Sequence, residues 1–357
     1  ETIETGSRAA ALGGYTAVVA MPNTDPTQDC VSVVEFVRRQ GQVAGLCDVH
    51  PSASITVGRA GEQLTPFAEL AAAGVRLFTD DGNAVQDPLL MRRAFEYASG
   101  LAETRAQHCE FERLTAGDYM HEGDCCSQLG LPGWPSLAEE LMVHRDIELV
   151  RLTGAPAHFL HLSTAGSVEL VRAAKADGLP VTAEATPHHI SLTDELLASY
   201  SALYKVNPPL RTMDDIEAVR HGLADGTIDA IATDHAPHVP ATKELPLDQA
   251  PPGMLGLETA LGVAVAHLDM ALVDIVAALS WKPAAIAGIA DRHGRPVAPG
   301  EPANLAVFDA AETWEVVPGK LASKSRNTPF VGVGLTGRVK HTILRGSVVV
   351  REGKALR

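Results

Sequence analysis

Ala232-Thr233-Asp234-His235-Ala236-Pro237-His238 sets a carboxylate before two imidazoles, directly after the apolar run Ile228-Asp229-Ala230-Ile231. An Asp at a strand mouth, with His one and four residues later, can ligate a metal, move a proton and hold a substrate anion within one short loop. An isolated Asp-His pair is more often a solvated loop cap. Three further polar clusters weigh against that reading. Val75-Arg76-Leu77-Phe78-Thr79 leads into Asp80-Asp81-Gly82, Thr104-Arg105-Ala106-Gln107 into His108-Cys109-Glu110, and Ala157-His158-Phe159-Leu160 into His161-Leu162-Ser163-Thr164. Asp81, His108, His161 and Asp234 together make a ligand set suited to zinc or a similar divalent ion.

Such residues meet only if the runs before them are parallel strands opening at one mouth, as in a (β/α)8 barrel. Strand-like runs alternate with helical patterns along the chain, the signature of a parallel sheet with crossover helices. Tyr15 to Met21 reads as a buried strand ending at Pro22-Asn23-Thr24, Cys30 to Gln40 as a helix, and Val43 to Ile55 as a strand made irregular by Pro51. Further strands precede Asp81, His108 and His161, cover Val181 to Thr186, and precede Asp234; Ser167 to Asp177 has helical apolar spacing. That makes seven strands where a closed barrel needs eight, so the first is expected upstream of Glu1. After a helical stretch from Gly256 to Ala290, a strand near Asn304–Asp309 and a hairpin turning at Gly346-Ser347 suggest a small β domain. The expected division is residues 1–298 as the barrel, strands two to eight, and 299–357 as the C-terminal part of a β-sandwich whose other strands also lie upstream. The Pro-rich patch Pro246 to Pro252 is expected as a loop over the barrel mouth.

Composition agrees with a folded enzyme, at 46% hydrophobic and 20% charged residues. A formal charge of −15 disfavours nucleic acid as a partner, because phosphate binding relies on Lys and Arg. Five cysteines without a Cys-x-x-Cys pair indicate neither a disulfide framework nor a thiolate metal cluster, and a reducing cytoplasm is the natural setting. Cys109 reads as a small buried filler beside His108 rather than a nucleophile. No signal peptide or membrane-spanning run is apparent.

The ordered set Met21-Pro22-Asn23-Thr24, Asp80-Asp81-Gly82, His108-Cys109-Glu110, His161-Leu162-Ser163-Thr164, Thr186-Pro187-His188-His189, Asn207-Pro208-Pro209-Leu210-Arg211, Ala232 to His238 and Pro252-Gly253 resembles the bacterial type I dihydroorotases of the amidohydrolase superfamily. The resemblance implies a zinc-dependent enzyme that interconverts N-carbamoyl-L-aspartate and (S)-dihydroorotate in pyrimidine synthesis. It further implies Asp81 bridging two zinc ions, His108 and His161 on the second zinc, and Asp234 as a ligand of the first zinc and as general base and acid. Asn23, Asn207 and His238 would hold the substrate, and the Pro252-Gly253 backbone would contact its ring. His188 and His189 fall outside that metal set and read as supporting or packing residues. A homodimer and an aspartate transcarbamoylase complex are the assemblies the resemblance brings into view.

Two departures stand out. The family's His-x-His pair on the first strand, and the substrate-binding Arg after it, have no match, which leaves the first zinc short of ligands. Before His108 the expected apolar strand is Ala102-Glu103-Thr104-Arg105-Ala106, with a charged Arg105 that must reach the rim or find a partner, and Phe111 follows Glu110 where the family has an acidic residue. Dihydropyrimidinases, hydantoinases and allantoinases would share barrel and metals, but the resemblance implies a carboxylated Lys where Asp81 stands. The remaining alternative is a non-catalytic relative that packs against the transcarbamoylase.

Overall fold

The computed structural model describes residues 1–98 and 103–357. Strands β1 (Ala17–Ala20) and β2 (Asp48–Pro51) pair in parallel, and an Ala53–Phe78 bridge carries the sheet to β3 (Leu77–Phe78). β3 pairs with β4 (Thr104–Gln107). The long connection that follows holds a short parallel pair, β5 (Met120–His121) and β6 (Gly133–Trp134). The main sheet resumes with β7 (Ala157–Phe159), β8 (Val181–Ala185) and β9 (Ala230–Ile231), each parallel to and beside the last. All seven main strands therefore point their C-terminal ends the same way, and each polar cluster follows one of them.

Helices cross back between the strands, and local chemistry sets their ends. Thr164 accepts the amide of Ser167 to open helix Ala165–Ala176, which buries Val168, Val171 and Ala174 at helical spacing. Helix Val31–Ala44 runs beyond the expected Gln40 because Gly41 lets it lie directly on β2. A Cβ there would come within 2.6 Å of Val49 Cβ, and the helix stops only at Gly45, whose φ of 62° is left-handed. The expected strand Val43–Ile55 accordingly shortens to Asp48–Pro51. The stretch from Gly256 to Ala290 divides into helices Ala260–His267, Leu272–Leu279 and Trp281–Ile286.

Arg105 reaches neither the rim nor a charged partner within bonding distance. On β4 it points away from the sheet's concave side, fully buried, with its guanidinium 5.5 Å from the Phe67 ring centre and 5.7 Å from that of Phe78. It donates to the Glu103 carbonyl, while Nε and Nη2 have no partner among the described residues. Aromatic faces thus hold this charge where the rim or a partner was expected. Ala102 lies outside the described residues.

At the C-terminal end, β10 (Leu305–Glu315), β11 (Gly334–Leu344), β12 (Ser347–Arg351) and β13 (Lys354–Ala355) form an antiparallel sheet. The hairpin turns at Arg345-Gly346, both with positive φ, one residue before the expected Gly346-Ser347. Helix Ile3–Leu12 packs on this sheet, and Thr342 Oγ1 donates to the Ala11 carbonyl at 2.7 Å.

Among the described residues β1 and β9 each pair on one side only. A cavity of about 850 Å³ lies between them, lined by Val18, Ala20, Ile231 and Leu257 near the seam and by Asp81, His161 and Asp234 at the mouth. All four apolar residues of β1 remain partly exposed.

Candidate metal centre

Asp81, His108 and His161 leave the ends of β3, β4 and β7, and the sheet order β3-β4-β7 makes them neighbours. His108 Nδ1 sits 3.0 Å from His161 Nε2, His161 Nε2 3.4 Å from Asp81 Oδ1, and His108 Nδ1 3.9 Å from the same oxygen. All three side chains are buried. Two imidazole nitrogens and a carboxylate oxygen facing one point at these separations fit the donors of a divalent ion, since ligands about 2 Å from a tetrahedral ion stand roughly 3.3 Å apart.

His108 is braced from outside at its ring and Asp81 at its backbone, whereas the outer nitrogen of His161 has no hydrogen-bond partner among the described residues. Glu110 Oε2 holds the outer nitrogen of His108 at 3.0 Å, the carboxylate-imidazole support common behind metal ligands. Arg59 Nη2 donates to the Asp81 carbonyl at 2.6 Å. The neighbouring Asp80 plays a different part, accepting the Thr56 amide at 3.0 Å and the Thr56 hydroxyl, so that of the two aspartates only Asp81 faces the donor cluster. Behind His161, buried Glu139 accepts the amides of Ser163 and Thr164, each at 3.1 Å, and Arg211 Nε donates to Ser163 Oγ at 3.0 Å. His161 has φ of 32°, unusual for a non-glycine residue and affordable only where neighbours fix the loop.

Asp234 lines the same cavity from the end of β9, also left-handed with φ of 42°. Its carboxylate lies 3.8 Å from His188 Nε2, which is buried without a hydrogen-bond partner. The side chain is 24% exposed and lines the cavity. Burial pushes its pKa up to about 7; His161 pulls it down, and Asp81 and Glu184 push it up. For His161, burial acts downward, but the bond to Asp81 and the charges of Asp234, Asp81 and Glu184 prevail and raise it to about 9. Three carboxylates around one imidazole make a site short of positive charge, and without a cation only protons supply it. His108 and His161 thus fit a divalent ion in donor type, spacing and charge, with Asp81 among them and Asp234 beside them.

Of the expected substrate residues, Asn23 and His238 line this cavity, whereas Asn207, Pro252 and Gly253 are not in its lining. Asn23 lines the cavity; its Nδ2 lies 3.9 Å from a Cβ built on Gly82. His238 also lines it, and its Nε2 donates to the Pro252 carbonyl at 2.7 Å. Gly253 has φ of 133°, and a Cβ there would fall 2.6 Å from Ala236 Cβ and 2.8 Å from His238 Nε2, so only glycine brings the two loops this close. Asn327 staples them, its Nδ2 donating to the carbonyls of Ala236 and Gly253 at 2.9 and 3.1 Å. Lys243 Nζ donates to the carbonyls of Pro251 and Gly253 at 2.9 and 3.1 Å. Asn207, half-buried before Pro208, does not line the cavity, although the His189 ring beneath it bonds the Pro208 carbonyl at 3.0 Å. Burial lowers His189 to about 3, consistent with a neutral packing residue.

Sequence reasoning left the partner of Glu184 open, and the structure supplies His158, with Nε2 3.0 Å from Glu184 Oε2 and Nδ1 2.8 Å from Thr182 Oγ1. Both residues line the cavity. Alternation along β7 and β8 puts them on one face, a clue that needs the strand pairing before it can be read. Arg59, Glu139 and Asn327 carried no motif at all. Cys109 is 3% exposed and its thiol is driven well above its usual pKa by burial, as suits a filler.

Residues 1–167 match a family described as dihydro-orotase-like. The chain is 52% identical over 361 residues to a dihydroorotase of Mycobacterium leprae, covering 99% of this chain and 84% of that protein. It is likewise 52% identical over 360 residues to a dihydroorotase of Streptomyces coelicolor, with the same coverage. In fold it is similar to an L-hydantoinase (dihydropyrimidinase) from Arthrobacter aurescens, with a TM-score of 0.86 at 22% identity over all of this chain and 82% of that one. A D-hydantoinase (dihydropyrimidinase) from Thermus sp. gives 0.81 at 23% identity, covering 81% of its length. The hydantoinases share only the architecture with this chain, whereas identity above one half over nearly its whole length places it in the dihydroorotase family.

Proposed function

We propose that this chain catalyses the reversible closure of N-carbamoyl-L-aspartate to (S)-dihydroorotate and water, with zinc held by Asp81, His108 and His161. The observation that carries the reading is the meeting of these three donors beside Asp234, whose pKa is raised to about 7. When bound, the ion supplies positive charge that polarises a carbonyl and makes water a nucleophile near neutral pH. Asp234, able to hold or release a proton in that pH range, takes one from the attacking water and returns it to the ring nitrogen as the amide opens; closure is the reverse. Asn23 and His238, which line the cavity, are assigned to the substrate's carboxylates and carbamoyl group, with the Pro252-Gly253 backbone against its ring; Asn207, outside the lining, keeps its assignment through the family resemblance alone. Charge-assisted hydrogen bonds suit a dianion.

No lysine is among the described residues that line the cavity, which supports dihydroorotase over the hydantoinase reading. The unpaired edges of β1 and β9 support an eighth strand in the seam, where a His-x-His pair would complete the ligands of a second zinc. Five free cysteines support a reducing, cytoplasmic setting. The test is the change in dihydroorotate absorbance with zinc supplied. Asp234→Asn should lower kcat by about 10²–10⁴-fold with an unchanged circular dichroism spectrum; activity near that of the parent would refute the role of Asp234.

A further inference from the structure

A second set of metal donors lies at the opposite end of the sheet. Asp48 and His50 share one face of β2, and His293 approaches from the loop after helix Trp281–Ile286; one donor atom from each lies within 4.8 Å of the others. His293 Nε2 is 3.1 Å from Asp48 Oδ2, and the His50 and His293 rings meet edge to face at 5.8 Å. Through the Ala53–Phe78 bridge, His50 stands six residues of register below Asp81, on the order of 20 Å along the strands. The two clusters are therefore separate.

We propose that Asp48, His50 and His293 form a structural site for a transition-metal dication, zinc foremost. Three observations converge on it. Two imidazoles and one carboxylate are a set that prefers zinc and its neighbours to magnesium or calcium. The outer atoms are already braced as metal ligands usually are: His293 Nδ1 lies 3.0 Å from Thr16 Oγ1, and Asp48 Oδ1 lies 3.2 Å from Arg345 Nη2. Finally, His50 Nε2 is buried without a hydrogen-bond partner among the described residues, a loss that a ligand would remove.

In the tautomer with its proton on Nδ1, shared with Thr16, His293 offers the Nε2 lone pair to the ion. The cavity lined by His293 runs to Asp81 and provides a route in. With Arg345 at the hairpin turn bonded to Asp48, an ion here would fasten β2, the 287–293 segment and the C-terminal sheet together.

The test is zinc content by elemental analysis after equilibrium dialysis of the full chain against micromolar zinc. His50→Ala and His293→Ala should each bind one equivalent fewer than the parent, while His161→Ala keeps the equivalent they lose. Zinc-edge anomalous maps of parent crystals should show a peak between Asp48, His50 and His293, which keeps the test independent of how the variants fold. Equal zinc content in the parent and both variants, or anomalous density confined to the Asp81 cluster, would overturn the proposal.

Discussion

A neighbouring carboxylate tunes one ligand of the candidate metal centre. Glu110 fixes the outer nitrogen of His108, and Glu110→Gln keeps the shape while removing the charge that makes the imidazole a better ligand. Loss of such a partner typically weakens metal affinity about 10–100-fold. Competition with a chromophoric chelator should show that drop, whereas an unchanged affinity would mean that Glu110 only packs. Glu258 offers a pH-dependent counterpart away from the centre. Burial raises its pKa to about 7, against the amides of Ala322 and Ser323 and the charge of Arg326, which pull it down. With the folded value above the unfolded one near 4.5, its contribution to stability is complete below pH 4.5 and is lost as pH rises through 7. At 1.36 kcal/mol per pH unit the span is on the order of 3 kcal/mol. Urea midpoints at pH 5 and pH 8 should therefore differ less in Glu258→Gln than in the parent; equal differences would remove Glu258 as a cause.

At the scale of elements, β4 is where sequence patterning and structure part. The runs before Asp81, His161 and Asp234 are apolar and read plainly as strands, but Thr104-Arg105-Ala106-Gln107 does not, because Arg105 hides its charge against Phe67 and Phe78, rings that belong to earlier segments. Burial lowers the Arg105 pKa to about 10, a measure of how poorly that pocket solvates the charge. Arg105→Met fills the same volume without the unpartnered nitrogens, and replacing buried ionic groups by apolar ones is often neutral or stabilising by about 1–4 kcal/mol. Thermal unfolding should show an equal or higher midpoint, and a fall of several degrees would mean that the guanidinium has a partner that justifies its burial. The same logic sets what was legible. Strand ends, loop ligands and the helix after Thr164 announce themselves locally through caps, apolar spacing and polar clusters. The end of helix Val31–Ala44 depends on Val49 across the interface, and the His158–Glu184 pair depends on strand order, so neither could be read from its own segment.

For the molecule as a whole, the open seam is the feature with the largest consequence. Among the described residues the seven strands of the main sheet leave β1 and β9 with unpaired edges, and the cavity of about 850 Å³ between them continues into the candidate metal centre. Unpaired edges of this kind invite another strand, and a closed (β/α)8 barrel has room for one at that position. Asp81, His108 and His161 already converge without it, so one ion should bind to this chain, and a second ion beside Asp234 would need further imidazoles. Adding a strand that bears a His-x-His pair ahead of Glu1 should then raise bound zinc at this mouth from one to two equivalents, shield the β1 and β9 amides from hydrogen exchange, and increase turnover. The exchange measurement separates the two ideas involved. Protection of Ala17–Ala20 and Ala230–Ile231 without activity would keep the eighth strand and discard its catalytic role, whereas unprotected edges in an active extended chain would place the missing ligands elsewhere.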